Sequence, residues 1–338
     1  MLGQWPIHWK SANIIPLPKD VIPNYLNIRP ISILPTLNKC FEQLLKSRIM
    51  PYYTKHIDKS QYGFIPMGST ASALIAILDK IYTLLDSPEI KSVSLISFDF
   101  RKAFDKVNHQ ILLNKLTSFL PHNFIPILSS YLQQRRQRVQ LNKSFSEFCD
   151  IDCGVPQGSV LSPILFNLFI CDLTDTPKSF CFKYADDSTF ILPHYSLNIT
   201  EDVKYTFDYV SDWCNNNKLQ LNVDKTKLMI FKKHYITYNT TCSLTPVSHL
   251  KLLGVTIENN LKWDKHIQST IKAASSSLYL LRKCHKIFNK QQLIMLYNSF
   301  VLSKLCYAAS AFISLPQKHC RPFKKLLTRA HFIICGYD

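Results

Sequence analysis

Apolar residues recur along this chain with two periods, and the switches between them lay out its elements. Phe180, Phe182 and Tyr184 alternate with polar neighbours, and an apolar run reaches Leu192 after Asp186-Asp187. That pattern predicts a β-hairpin with the two acids at its tip. Residues 93–98 form a mostly apolar strand that runs directly into Asp99. Residues 139–141 are expected to pair with 148–151 as a second hairpin, and 227–231 and 252–257 each read as a short strand. Helical spacing takes over elsewhere. Leu37, Phe41, Leu44, Leu45 and Ile49 mark one helix that Pro51 should stop, with Glu42 and Lys46 one turn apart and able to pair. Ser69 should cap a helix carrying Leu74, Ile77, Leu78, Ile81 and Leu85, and Asp105 a helix carrying Ile111, Leu112 and Leu116. Leu161, Leu165 and Leu168 mark another, and Val203, Phe207, Val210, Trp213 and Cys214 line a helix over 201–216. From about Trp263 onward the pattern is helical over 264–285, 290–313 and 317–335. Residues 1–35 are proline-rich and read as extended segments broken by prolines.

The chain has 338 residues, of which 46% are hydrophobic, so a sizeable core and two or three subdomains are expected. Only 7 glycines are present, which argues against a glycine-rich phosphate cradle. The net charge of +17 points to a polyanion, either nucleic acid or an acidic membrane surface. That charge is uneven: residues 261–338 hold 13 Lys or Arg against two acids. Eleven cysteines without pairing rhythm suggest reduced thiols in an intracellular protein. Cys149 and Cys153 lack a second ligand pair nearby, so zinc is not expected. The N-terminus has no apolar core of signal-peptide length. The apolar segment 293–315 contains Asn298 and Lys304 and is read as a buried helix, not a membrane span.

Candidate chemistry starts with the acids. Asp186-Asp187 alone reads first as a solvated turn. Asp99, at the end of an apolar strand, offers a partner. If the strands share a sheet, three carboxylates converge, and like charges that close call for a divalent cation. Oxygen ligands favour Mg²⁺ over zinc, and such a cluster suits phosphoryl transfer. Polymerase, nuclease and nucleotide cyclase all remain open on spacing alone. The loop Gly154-Val155-Pro156-Gln157-Gly158-Ser159 precedes a helix, and its amide suits a nucleotide contact or is simply a turn. Lys19 and Arg29 stand among apolar neighbours as phosphate contacts or ordinary surface charge.

Six blocks follow one another in order: Arg29-Pro30-Ile31-Ser32; Phe98-Asp99 through Ala103-Phe104-Asp105; 154–163; Tyr184-Ala185-Asp186-Asp187; Leu221-Asn222 with Lys225-Thr226-Lys227; and Leu253-Gly254-Val255. Together they resemble the reverse transcriptase domain of a non-long-terminal-repeat (LINE, jockey-like) retrotransposon, over residues from about 9 to at least 270. The resemblance implies an α+β right-hand polymerase, with fingers and an antiparallel palm sheet over 1–260 and a basic, mostly helical thumb over 261–338. It implies that Asp99 and Asp186 bind two Mg²⁺ ions, with Mn²⁺ as a substitute, and that Asp187 supports the metal site. Phe104 resembles the aromatic gate that excludes a ribose 2′-hydroxyl. Gln157 and Gly158 would position the incoming nucleotide and template, and Lys19 and Arg29 would meet its triphosphate. Lys225 resembles the lysine that protonates pyrophosphate, and Leu253-Gly254 the primer grip. The partners so implied are an RNA template, a DNA primer and deoxynucleoside triphosphates, with no membrane. The location would be the cytoplasm, and the nucleus if the element moves. Full elements of this kind carry an endonuclease before the polymerase, so the chain is expected to be a truncated copy. A nucleic-acid-binding relic that folds without polymerising is the alternative.

Overall fold

The computed structural model describes residues 3–18, 28–196, 198–232, 244–312 and 317–336. The chain begins with β1 (Ser11–Pro18), β2 (Ile28–Ile33), α1 (Thr36–His56), α2 (Thr70–Asp86) and β3 (Ser92–Phe98). Next come α3 (His109–Phe119), α4 (Ile125–Leu132), β4 (Arg135–Leu141), β5 (Ser144–Phe145), β6 (Cys149–Ile151) and α5 (Ser162–Phe169). The hairpin strands β7 (Phe180–Tyr184) and β8 (Asp187–His194) lead to α6 (Thr200–Asn216) and β9 (Lys227–Lys232). The last stretch is β10 (His249–Leu252), β11 (Val255–Glu258), α7 (Asp264–Cys284), α8 (Lys290–Tyr297), α9 (Ser303–Cys306) and α10 (Gln317–Cys335). The chain divides into two compact units, residues 1–68, 96–192 and 200–226 in the first and 69–95, 193–199 and 227–338 in the second.

In the first unit one sheet has the order β2-β1-β4-β5, with β6 also on β4. The β1–β2 pair is antiparallel, but β1 runs parallel to β4, a departure from a wholly antiparallel sheet. Prolines do not break these strands: Pro16 and Pro30 lie opposite each other within the β1–β2 pair. The second predicted hairpin forms in a different register. Residues 135–137 of β4 pair with 149–151, and 140–141 with 144–145.

A second sheet has the order β7-β8-β3-β9, so β8 lies beside β3. Behind its first-unit strands, Phe98 meets Phe190 edge to face at 5.5 Å, with both rings buried. Leu112, Leu116, Leu165, Phe166 and Phe169 of α3 and α5 are also buried.

Two expectations about α1 fail. Pro51 does not stop it, and the helix continues to His56. The lost backbone bond costs about 3 kcal/mol, but stopping there would take Tyr53, which is fully buried, out of the core. The buried stripe is Asn38, Glu42, Leu45, Ile49 and Tyr53, whereas Leu37 and Leu44 are 67% and 65% exposed. Glu42 therefore faces inward and makes no surface pair with Lys46.

In the second unit, Ser69 caps α2 through a reciprocal capping box with Ser72. The segment 252–257, expected as one strand, is instead the turn and flanks of the β10–β11 hairpin. Leu253 (φ 45°) and Gly254 (φ 84°) form the two-residue turn, and a type I′ turn requires positive φ at both positions. The helical core packs Ala274, Leu278 and Leu281 against Leu293, Val301, Leu305, Leu326 and Ala330. The stretch 290–311 is long and apolar enough to cross a bilayer by length and composition. It is not the buried helix expected: α8 and α9 flank a π-turn, and Met295 and Phe300 are 68% and 58% exposed.

Candidate active site

Asp99 follows the buried Phe98 at the end of β3. Its backbone and side chain are both held by Asn222. The Asn222 N–H donates to the Asp99 carbonyl at 2.8 Å, and its Nδ2 donates to Asp99 Oδ2 at 2.8 Å. The Arg101 N–H to Gln220 carbonyl bond extends this contact. One carboxylate oxygen is thereby aimed, through two residues that sequence spacing gave no reason to join.

Asp186 is presented by the turn of the β7–β8 hairpin, where Tyr184 pairs with Asp187 and Ala185 adopts the left-handed conformation (φ 56°). That turn does not stand alone. Residues 60–62 run along β7: Lys183 N–H donates to the Ser60 carbonyl and Tyr62 N–H to the Lys183 carbonyl, each at 2.8 Å. Gln61 Oε1 accepts from Gly63 N–H at 2.7 Å and from Ala185 N–H at 3.1 Å. A Cβ on Gly63 would lie 2.4 Å from the Ala185 nitrogen, so glycine is what permits this approach. Below the turn, buried Lys183 donates to Asp58 at 2.5 Å and to the Ile170 and Leu173 carbonyls. Desolvation alone raises the Asp58 carboxyl, but Lys183 and Ser60 outweigh it and hold it below its ordinary value.

The loop 154–158 is seated by close backbone contacts. Val155 N–H donates to the Phe104 carbonyl and Ser32 N–H to the Gln157 carbonyl, at 2.8 and 2.7 Å. Gly158 (φ 114°) approaches so closely that a Cβ would lie 2.8 Å from the Ser32 carbonyl oxygen. Gln157 Nε2 donates to Asp105 Oδ1 at 2.9 Å. Asp105 is therefore not the cap of α3, a place taken by Asn108. Phe104 stacks on Phe166, ring centroids 4.4 Å apart and 17° from parallel, with the edge of Phe64 at 6.3 Å.

These groups surround a cleft of about 1080 Å³ within the first unit. Asp99, Asp186, Phe104, Gln157, Gly158, Arg29 and Lys225 all line it. So do Arg101, Lys102 and Lys106, cations the sequence reading did not single out. Asp187 stands beside this group. Desolvation, then the charges of Asp186 and Asp99, push its carboxyl up to about 6. Lys19 lies outside the described residues. Leu253-Gly254 forms the β10–β11 turn in the second unit, where Tyr307 donates to the Leu253 carbonyl at 2.7 Å.

The donor set fits a hard divalent cation. Among the described residues no three carboxylate, imidazole or thiol groups are arranged to hold a metal unaided. Mg²⁺ does not need three: it keeps several waters and takes one or two carboxylates plus substrate phosphates. The raised Asp187 carboxyl marks negative charge that a cation would offset.

A family model described as reverse transcriptase (RNA-dependent DNA polymerase) matches residues 18–257. The chain belongs to that family. The RNA-directed DNA polymerase from the mobile element jockey of Drosophila melanogaster is 28% identical, over 99% of this chain and 38% of that protein. The probable RNA-directed DNA polymerase from transposon BS of the same species is 29% identical, over 82% of the chain and 33% of its own length. The chain thus spans between a third and two-fifths of these relatives. Among solved structures, apo telomerase from Candida tropicalis aligns with a TM-score of 0.56 at 12% identity, over 96% of this chain and 59% of that one. At that identity the likeness concerns the fold, and the fold of this chain is the α+β right-hand polymerase the motifs implied. Dependence on a divalent metal is general in the family.

Sequence spacing missed Gln61, Lys183 and Asn222 as supports of the carboxylates. One signal was present: with only 7 glycines in the chain, each marks a possible close approach, and Gly63 makes one against the turn that carries Asp186.

Proposed function

We propose that the cleft of the first unit is the nucleotidyl-transfer site of an RNA-directed DNA polymerase of a non-long-terminal-repeat retrotransposon. The observation that carries this reading is the meeting of Asp99, Asp186, Phe104 and Gln157 on one cleft. Asp99 and Asp186 hold two Mg²⁺ ions, or Mn²⁺ in their place, and Asp187 supports them. When bound, such ions stabilise the attacking and leaving oxygens of an in-line displacement.

The protein's own groups do the rest. Asn222 keeps the Asp99 carboxylate aimed, and Gln61 keeps the Ala185 turn, and hence Asp186, in place. Phe104, backed by Phe166, presents a flat ring against the sugar and leaves no room for a 2′-hydroxyl. Gln157, oriented by Asp105, and Gly158 position the incoming nucleotide and the template. Arg29, with Lys19 of the same segment, meets the triphosphate, and Arg101, Lys102 and Lys106 add to the positive lining. Lys225 Nζ delivers a proton to the departing pyrophosphate. Leu253-Gly254 contacts the primer, and the basic residues beyond 261 grip the duplex backbone by charge. The partners are an RNA template, a DNA primer and deoxynucleoside triphosphates, met in the cytoplasm or nucleus and not at a membrane. A full set of carboxylates, gate and amide on one cleft favours catalysis over a binding-only relic.

Purified protein, a primed RNA template, labelled deoxynucleotides and Mg²⁺ test the proposal. Extension that chelation stops is expected. RNA binding without extension would overturn catalysis and leave the relic.

A further inference from the structure

Glu42 lies on the inward face of α1 and is fully buried. Among the described residues, the donors that reach its carboxylate are neutral. Asn38 Nδ2 donates to Oε1 at 2.7 Å. Ser159 Oγ and Val160 N–H donate to Oε2 at 2.7 and 2.6 Å, with Leu161 N–H at 3.4 Å. Those residues directly follow Gln157-Gly158 and lead into α5. Ser159 Oγ in turn accepts from Leu161 N–H at 3.1 Å and from Ser162 N–H at 3.4 Å, at the start of α5. Glu42, more than a hundred residues away in sequence, supplies the acceptor for the backbone donors that lead into that helix and for the Ser159 hydroxyl. The network continues outward, since Trp5 Nε1 donates to Asn38 Oδ1 at 2.9 Å and the Tyr131 hydroxyl meets Ser159 Oγ at 2.7 Å.

We infer that Glu42 is a positioning residue for the incoming nucleotide: it anchors the 159–161 backbone and thereby holds Gln157 and Gly158 at the cleft. The inference rests on the nucleotidyl-transfer reading of that cleft. A buried carboxylate is costly unless fully hydrogen-bonded, and an apolar residue would pack at this helix position without that cost. The anion is accounted for by what it holds. The Gln157 loop is pinned on one side by Ser32 N–H to the Gln157 carbonyl and on the other by Glu42.

The chain of donors makes the prediction specific. In Glu42→Gln the new amide oxygen can serve the loop only if its NH₂ faces Asn38 Nδ2. Turning Asn38 over then sets its NH₂ against the Trp5 indole N–H. Adding Asn38→Asp removes the conflict: the aspartate accepts from both the indole and the new amide, and the loop regains its acceptor. In primed-RNA extension, Glu42→Gln should raise KM for the deoxynucleotide by roughly tenfold or more. RNA affinity should stay unchanged, and Glu42→Gln with Asn38→Asp should recover most of the loss. Amide hydrogen exchange at Val160 and Leu161 should speed in the single variant and slow again in the double.

Unchanged KM in Glu42→Gln overturns the inference. So does a parallel loss of RNA binding, melting cooperativity and extension that the double variant does not repair, which would make Glu42 a core group only. If the wild-type protein does not extend primers, the polymerase reading fails separately. Exchange at Val160 and Leu161 then still decides whether Glu42 anchors the loop.

Discussion

Asp187 gives the sharpest test of charge in the cleft. Its carboxyl is raised from 3.8 to about 6 by desolvation and by Asp186 and Asp99. The folded protein therefore prefers Asp187 protonated. Below about 3.8 the carboxyl is protonated in both states and nothing is lost. As pH rises through about 6, stability falls, and above that it is constant. Unscreened, the change from 3.8 to about 6 amounts to about 3 kcal/mol. Asp187 retains exposed surface, so water screens the repulsion, and about 1 kcal/mol is the appropriate expectation. Asp187→Asn removes the titration. In chelator, the melting temperature of the variant relative to wild type should climb between pH 4 and pH 7 by about 1–2 °C for a chain of this length. Saturating Mg²⁺ at pH 7 should then raise the wild type more than the variant. Melting curves by circular dichroism over pH 4 to 8, with and without Mg²⁺, measure both effects. Parallel pH profiles for the two proteins, or an equal Mg²⁺ shift in both, would refute the picture of mutually repelling carboxylates awaiting a cation.

Other perturbations read other parts of the site. Asp186→Asn should lower extension by at least about a thousandfold while RNA affinity, measured by filter binding, holds or tightens; extension preserved at wild-type rate removes the metal role. Phe104→Ala should admit ribonucleotides, and an unchanged ratio of ribonucleotide to deoxynucleotide incorporation removes the gate. Its cost to stability should include the stack on Phe166, worth about 0.5–1.5 kcal/mol, beyond the burial lost with the half-buried ring. Gly63→Ala places a methyl 2.4 Å from the Ala185 nitrogen, a backbone atom that moves only with the hairpin tip. It should destabilise by about 1–3 kcal/mol and slow extension more than tenfold; wild-type melting and rate would show that the tip tolerates displacement.

Alternation and helical spacing were enough to place the strand before Asp99, the Asp186-Asp187 hairpin, the Ser69 cap and the helices after 263, because each is specified by near neighbours in the chain. The ordered motifs were enough to place Asp99, Phe104, Gln157 and Asp186 together. Spacing erred where long-range packing overruled local preference. Pro51 sits inside α1 because Tyr53 must reach the core, and Leu253-Gly254 turns where a continuous apolar run suggested one strand.

Apolar periodicity also hides polar groups that face inward. Glu42 reads as half of a surface pair, and only the fold shows it buried against a loop distant in sequence. The same holds for Gln61 at Ala185, Asn222 at Asp99 and Lys183 at Asp58. The chain by itself determined which carboxylates stand at a strand end and at a hairpin tip, since their identity and order are written in short motifs. Only the tertiary structure decided what holds each carboxylate in place. A hydrogen bond between residues a hundred positions apart depends on where two elements meet, and no local pattern of polar and apolar residues records that meeting.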